Sequence, residues 1–331
     1  MNYTIANSLT NDILSLCILP TEQCNFRCTY CYESFKLKKM QNETVEAILK
    51  LVTQRSAGIK QLNVEWFGGE PLLAQDIVLY LSKKFQELSL KYGFKYTSSM
   101  TTNAYLLNKT LFQKLLSCGV TSYQISLDGP KEIHDKTRIL INKKGTFEKI
   151  WTNLLAIRDA DGDFQITIRV HYFQKTLDDI KAFTNTLNKS FQDDKRFIIF
   201  YRNISNLSNC SSENLSIYEN HEEIKTIQSD LNELTDGIET IPTEEENYIC
   251  YACKANFFII RADASVSKCT VCLDEDINHI GKLNTNGELE LNQDKARLWS
   301  IGLQTEEPDH LICPYYNVIK PEVVDKINDI S

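Results

Sequence analysis

Three cysteines, Cys24, Cys28 and Cys31, fall within eight residues in the pattern CxxxCxxC, which puts three soft thiolates on one short loop. A closed structural zinc site takes four ligands, and no histidine stands nearby to complete one. A 4Fe-4S cube held by three cysteines keeps one iron without a protein ligand, open to a small molecule that carries an amine and a carboxylate. A second group, Cys250-x2-Cys253 and Cys269-x2-Cys272 with Cys313 far downstream, offers five thiols for a four-ligand site. On spacing alone, zinc is the simplest reading of its two CxxC pairs. The chain has eleven cysteines. Clustering of this kind in a reducing compartment points to metal or redox chemistry rather than disulfides. Cys17, Cys118 and Cys210 stand alone; the first two sit in apolar surroundings and read as core packing.

The elements that must position these groups alternate in type. Strand patterns cover Ile13 to Leu19, Leu62 to Phe67, Phe94 to Thr101, Ser122 to Leu127, Phe164 to Val170 and Phe197 to Tyr201. Helical periodicity lies between them, at Glu43 to Arg55, Ala74 to Tyr92, Lys109 to Cys118, Thr146 to Ala160 and Thr176 to Lys189. This is a parallel βα array, and a flat doubly wound sheet and an open six-stranded barrel both satisfy it. In either, chemistry gathers in the loops leaving the C-terminal strand ends. Four unusual segments occupy those positions: the CxxxCxxC loop, Gly68-Gly69-Glu70-Pro71, Thr101-Thr102-Asn103 and Asp128-Gly129-Pro130. They are expected to converge.

Asn and Ser supply eight of the twelve residues from Asn203 to Asn214, which reads as a surface connection. A helix is expected around Ser216 to Leu234, and Glu244-Glu245-Glu246 reads as a solvated boundary. Phe257 to Ile260 and Ser265 to Ser267 then form a β-hairpin pattern, with Cys253 before it and Cys269 after it. The 331 residues, 42% hydrophobic, suffice for a barrel-sized domain plus an appendage. A net charge of -8 argues against bulk nucleic-acid binding. No apolar run approaches the roughly 18 residues of a membrane span, and the first residues do not resemble a signal peptide, so a cytoplasmic protein is expected.

The three-cysteine loop with Tyr30 before its last cysteine, Gly68-Gly69-Glu70-Pro71, Ser126-Leu127-Asp128-Gly129-Pro130, His134-Asp135-Lys136-Thr137-Arg138 and Gly145-Thr146-Phe147 together resemble the radical S-adenosylmethionine (SAM) superfamily over residues 13–202. The resemblance implies an α/β fold, an open parallel (βα)6 partial TIM barrel with a 4Fe-4S cluster on Cys24, Cys28 and Cys31 near its top. In such enzymes the reduced cluster cleaves SAM to methionine and a 5'-deoxyadenosyl radical, which takes a hydrogen atom from the substrate. Carried over residue by residue, Gly68 and Gly69 would let the backbone approach the methionyl group, and Glu70 would accept from its amine. Tyr30 would lie near the adenine, with Asn103 and Ser126 at the ribose or carboxylate. Asp128 is expected to shape the turn and Arg138 to pair with a neighbouring acid.

The second cysteine group resembles the auxiliary-cluster domain of the SPASM and twitch classes. It departs from the fuller pattern: Ala264 replaces the usual hairpin glycine, and the later cysteine-rich run is reduced to Cys313-Pro314-Tyr315. The resemblance therefore implies one auxiliary 4Fe-4S cluster on four of Cys250, Cys253, Cys269, Cys272 and Cys313, with Cys313 favoured over Cys272 as the fourth ligand. The expected organisation is a radical SAM partial barrel over 1–202, a polar and helical connection over 203–247 and a C-terminal SPASM/twitch-like domain over 248–331. The function implied is hydrogen abstraction from a ribosomally made (RiPP) precursor peptide to install a crosslink or related modification. An external electron donor such as flavodoxin or ferredoxin is expected, and a separate leader-binding protein could take part. The alternatives are an anaerobic sulfatase-maturase-like enzyme, a small-molecule radical SAM dehydrogenase and a non-catalytic metal-binding redox sensor. A sensor has no need of the Gly68-Gly69-Glu70 loop.

Overall fold

A computed structural model of the chain describes residues 3–207, 215–242 and 248–320. Helix α1 (Tyr3–Leu9) leads into a repeating βα unit: β1 (Ile13–Ile18), α2 (Asn42–Arg55), β2 (Gln61–Trp66), α3 (Gln75–Tyr92), β3 (Lys95–Thr102), α4 (Lys109–Ser117) and β4 (Val120–Leu127). Two helices, α5 (Lys131–Thr137) and α6 (Phe147–Arg158), precede β5 (Gln165–Tyr172), followed by α7 (Leu177–Phe191) and β6 (Phe197–Asn203). The six strands pair in parallel in chain order. In the sheet order β6 is flanked by β5 and a two-residue β7 (Glu239–Thr240), so the array stays open rather than closing onto β1. Between them comes α8 (His221–Glu233), shorter than its sequence pattern suggests.

The alternation along each strand explains why the array curves round a polar interior. Leu14, Leu16, Leu62, Val64, Trp66, Ile125, Ile166 and Ile168 are buried in the main apolar core. The intervening Ser15, Asn63, Thr97, Ser99, Ser122 and Gln165 line a cavity of about 800 Å³. They hydrogen-bond across strands, Asn63 Nδ2 to Ser15 Oγ at 3.0 Å and Thr97 Oγ1 to Asn63 Oδ1 at 2.6 Å.

The hairpin expected after Cys253 forms from β8 (Phe257–Ile260) and β9 (Ser265–Ser267), and β10 (His279–Leu283) and β11 (Leu289–Leu291) extend it. Strand β8 runs parallel to β1, with Leu16 opposite Phe258, so the C-terminal segment continues the barrel sheet on its β1 side. Ala264 adopts φ +69° in the hairpin turn, the left-handed conformation that glycine takes without strain. Cys17 is fully buried with Leu19, Phe257, Ile259 and Leu273. Cys118 is half-buried at the C-cap of α4. Asn203 and Ile204, at the start of the expected surface connection, are instead buried. Cys210, the stretch 208–214 and Glu244-Glu245-Glu246 lie outside the described residues. Among the described residues no helix is long and apolar enough to cross a membrane.

Candidate functional site

The four strand-end loops converge. Cys24, Cys28, Cys31, Tyr30, Gly68, Gly69, Asn103 and Ser126 all line one cavity of about 210 Å³. The cysteine loop is strapped in place by the segment after α5. Arg27 N donates to Ile139 O at 2.8 Å, Thr29 N to Thr137 O at 2.9 Å and Ile141 N to Asn25 O at 3.0 Å. Burial is the largest influence on the three thiols and pushes Cys24 and Cys31 up to about 12; the Glu70 charge adds to it at Cys24, and neighbouring cysteines add to it at Cys24 and Cys31. Three buried thiols on one loop and in one cavity suit a cationic iron-sulfur core.

The glycines serve a contact within the chain. Gly68 has φ +109°, and a Cβ there would collide with Thr21 O. At Gly69 a Cβ would sit 2.5 Å from Glu22 O and 2.6 Å from Gln23 O. The pair thus lets this loop lie against the backbone leading into Cys24, and Glu70 N seals it by donating to Gln23 O at 3.0 Å. The Glu70 carboxylate is fully buried and takes three internal donors: Leu72 N at 3.0 Å, Thr102 Oγ1 at 2.8 Å and Asn103 N at 2.8 Å. Asn103 Nδ2 in turn donates to Asn25 Oδ1 at 2.9 Å, so Glu70, Asn103 and the cysteine loop form one chain of contacts. Ser126 is half-buried with its hydroxyl free of partners among the described residues.

Tyr30 lines the cavity with its hydroxyl committed. It lies 2.8 Å from both Asp128 oxygens and accepts from Arg138 Nη1 at 2.9 Å. Asp128 also accepts from Thr137 Oγ1 at 2.6 Å and contacts His171 Nδ1 at 3.1 Å. Burial alone would raise the Asp128 carboxyl, but the His171 hydrogen bond and the Arg138 charge outweigh it and hold it well below the usual range. Asp128 is therefore the hub of a buried network as well as a turn residue, and Arg138 meets a tyrosine hydroxyl. The next residues of the motif build the frame: His134 bonds Asp128 N and Thr146 Oγ1, and Asp135 accepts from Thr146 N and Phe147 N at the start of α6.

The thiols of the second cysteine group lie near enough for their charges to act on one another, although among the described residues no three metal-ligating side chains converge on one point. Cys250 is raised by burial and by charge at Cys269 and Cys313; Cys253 by burial and by Cys250 and Cys313. Cys269 is brought down to about 7, chiefly by its hydrogen bond with Cys272. The fully buried Asn278 staples the Cys269–Cys272 turn. Its Oδ1 accepts from Lys268 N at 3.0 Å and Cys269 N at 2.9 Å, and its Nδ2 donates to Cys269 O at 2.7 Å and Cys272 O at 3.0 Å. Sequence reasoning missed Asn278, since nothing local marks an asparagine nine residues past a cysteine as its organiser.

Residues 18–187 match the family model described as the radical SAM superfamily, just over half of the chain. This chain belongs to the radical SAM superfamily. It is an enzyme of that superfamily, and its cofactors are a 4Fe-4S cluster and SAM. It is 32% identical over 169 residues to a cysteine-type anaerobic sulfatase-maturating enzyme of Clostridium novyi (strain NT), a match covering 46% of this chain and 42% of that protein. It is 35% identical over 112 residues to a GTP 3',8-cyclase of Sulfurimonas denitrificans, covering 33% of this chain and 32% of that one. The match thus spans less than half the length of these curated relatives. Among solved structures, histidine-tagged anSMEcpe with bound AdoMet superposes with TM-score 0.64 at 21% identity, covering 87% of this chain and 84% of that one. Streptococcus suis SuiB bound to precursor peptide SuiA gives TM-score 0.57 at 16% identity, covering 95% and 68%. These likenesses establish the radical SAM fold, extending over the C-terminal segment.

Proposed function

We propose that this enzyme takes a hydrogen atom from a residue of a ribosomally made peptide and leaves a crosslink or related modification. Cys24, Cys28 and Cys31 would hold the SAM-binding cluster, with Gly68, Gly69, Asn103, Ser126 and Tyr30 around the cofactor. Glu70 would act from behind, fixing Asn103 and the loop rather than touching the methionyl amine itself. Bound to such a cluster, SAM supplies a 5'-deoxyadenosyl radical on reduction. The protein's own part is to hold the cysteine loop rigidly through the Glu70–Asn103–Asn25 chain and the Tyr30–Asp128 network, and to keep the reacting atoms away from solvent inside the barrel.

The observation that carries this reading is the second group of cysteines, on the segment that continues the sheet on its β1 side. Charge at Cys269 and Cys313 acts on Cys250, charge at Cys250 and Cys313 on Cys253, and charge at Cys269 on Cys313, while Cys272 hydrogen-bonds Cys269. These links support one auxiliary 4Fe-4S cluster on four of the five thiols, with Cys313 favoured as the fourth ligand, and such a cluster supplies a one-electron acceptor, as an oxidative crosslink requires. The organisation proposed is a barrel to residue 202, a connection over 203–247 and an auxiliary-cluster domain from 248, in a cytoplasmic protein served by a flavodoxin or ferredoxin and, for some substrates, a leader-binding protein. A second reading, oxidation of a sulfatase cysteine, is favoured by the 32% identity to a sulfatase-maturating enzyme. Co-expression with a peptide encoded beside the gene, followed by mass spectrometry, separates them. Loss of two hydrogens in that peptide supports the first reading, and conversion of a sulfatase cysteine to formylglycine supports the second.

A further inference from the structure

Arg169 on β5 and Arg202 on β6 have no role in the framework above. Register places Arg169 opposite Phe200 and Arg202 opposite His171, so the two arginines are diagonal neighbours on the same face of adjacent strands. Both line the cavity that holds the three cysteines. Neither makes a hydrogen bond or ion pair among the described residues, and the Nε of Arg169 is buried without a partner. The Phe200 ring lies 5.9 Å from its guanidinium carbon. Other arginines of the barrel and its hairpin are engaged: Arg138 with Tyr30, Arg196 with Asp194 and Arg261 with Glu22. Burial, followed by the Arg202 charge, pushes the Arg169 guanidinium down, the mark of two cations held side by side.

An unpaired buried cation is costly unless an anion completes the site, and Arg169 is that cation; Arg202, itself exposed, adds a second positive charge beside it. The three thiolates would be largely neutralised by the iron core they hold, and Asp128 faces Arg138, so the chain offers Arg169 and Arg202 little anion of their own. Among the described residues lining this cavity, Glu33 is the sole carboxylate against Arg138, Arg169 and Arg202. SAM does not rebalance it, because its sulfonium and amine outnumber its carboxylate. The arginine fork suits planar, two-point recognition of a carboxylate. β5 and β6 also lie beyond the strands whose loops surround the proposed cofactor position, at the open side of the array.

We propose that Arg169 and Arg202 form the substrate-recognition subsite of this enzyme and that the peptide it modifies presents a carboxylate there, close to the hydrogen that is removed. The inference rests on the peptide-modifying reading above and narrows its substrate class to acidic peptides. The carboxylate can come from a Glu or Asp side chain or from a chain terminus.

The test uses reconstituted holoenzyme with SAM under anaerobic conditions and ligand-observed NMR with three probes. These are N-acetylglutamate N-methylamide, its glutamine counterpart and N-acetylalanine, whose carboxylate is terminal. Binding of at least one carboxylate probe at least tenfold tighter than the glutamine probe is expected, and the preferred probe identifies the source. Arg202→Gln, at an exposed position where folding is not at stake, should remove that preference; Arg169→Lys should retain part of it and Arg169→Gln none. Equal binding of the acidic and neutral probes, absence of binding by all three, or an undiminished preference in Arg202→Gln overturns the inference. So does a tenfold loss of SAM affinity in Arg202→Gln, which would assign the pair to the cofactor. A holoenzyme that fails to cleave SAM at all contradicts the underlying reading instead, so the two failures are distinguishable.

Discussion

Arg261, at the end of β8, grips the carboxylate of Glu22, two residues before the first cysteine of the N-terminal loop: Nε donates to Oε1 at 2.7 Å and Nη2 to Oε2 at 3.0 Å. Both side chains are buried, and Nη1 also donates to Leu273 O at 2.8 Å, one residue past Cys272. One guanidinium therefore ties the approach to each cysteine group. Removing one partner of a buried pair leaves an uncompensated charge, at a cost of about 3–5 kcal/mol. Arg261→Met should lower the unfolding free energy by that order in denaturant titration. A loss under about 1 kcal/mol, the range of a surface pair, would show the clamp to be incidental.

Glu70 satisfies three buried donors, each costing about 1–3 kcal/mol if left unpaired. Glu70→Ala is expected to lower stability by roughly 3 kcal/mol or more and to weaken SAM binding together with it. Weakened SAM binding at unchanged stability would return Glu70 to direct contact with the methionyl amine.

Asn278 makes four hydrogen bonds around the Cys269–Cys272 turn. Asn278→Ala should release that turn and cost the protein its auxiliary cluster, leaving about half of the iron and the SAM-binding cluster in place. Iron analysis and electron paramagnetic resonance of the variant provide the check. Full iron content would exclude the stapling role.

Burial pushes the imidazoles of His134 and His171 down to about 4, from an ordinary value of 6.5. Between those values the unfolded chain binds more protons than the folded one, so stability falls as pH drops through that window. Asp128, held below its ordinary value, loses its contribution only at lower pH still. Glu33, whose carboxyl burial pushes up to about 8, works the other way over the same window. In a Glu33→Gln background, denaturant midpoints at pH 7 and pH 5 should therefore differ, the lower at pH 5. The histidines are also followed singly by NMR: imidazoles of His134 and His171 still neutral at pH 5 are expected, and protonated ones would contradict their burial as neutral rings.

The barrel was legible because its strands and helices carry opposite periodicities: the pattern over Leu62 to Phe67 differs from the observed β2 by one residue at each end. The convergence of the strand-end loops follows from the topology, so the cavity-lining cysteines and glycines could be named in advance. The partners within that framework could not. Thr21, Glu22 and Gln23 determine why Gly68 and Gly69 must be glycine, and such backbone contacts leave no trace in a one-dimensional pattern. The short helix α5 has no visible signature because seven residues after a proline carry too little periodicity. Arg169 did leave a signal, a cation in the middle of a strand pattern whose alternate residues are apolar.

The central claim is reductive cleavage of SAM at Cys24, Cys28 and Cys31. Anaerobically reconstituted protein with a strong reductant should release 5'-deoxyadenosine, detected by chromatography, and Cys28→Ala should abolish that release. Undiminished 5'-deoxyadenosine from the Cys28→Ala protein would contradict the assignment of the loop as the cofactor's cluster site.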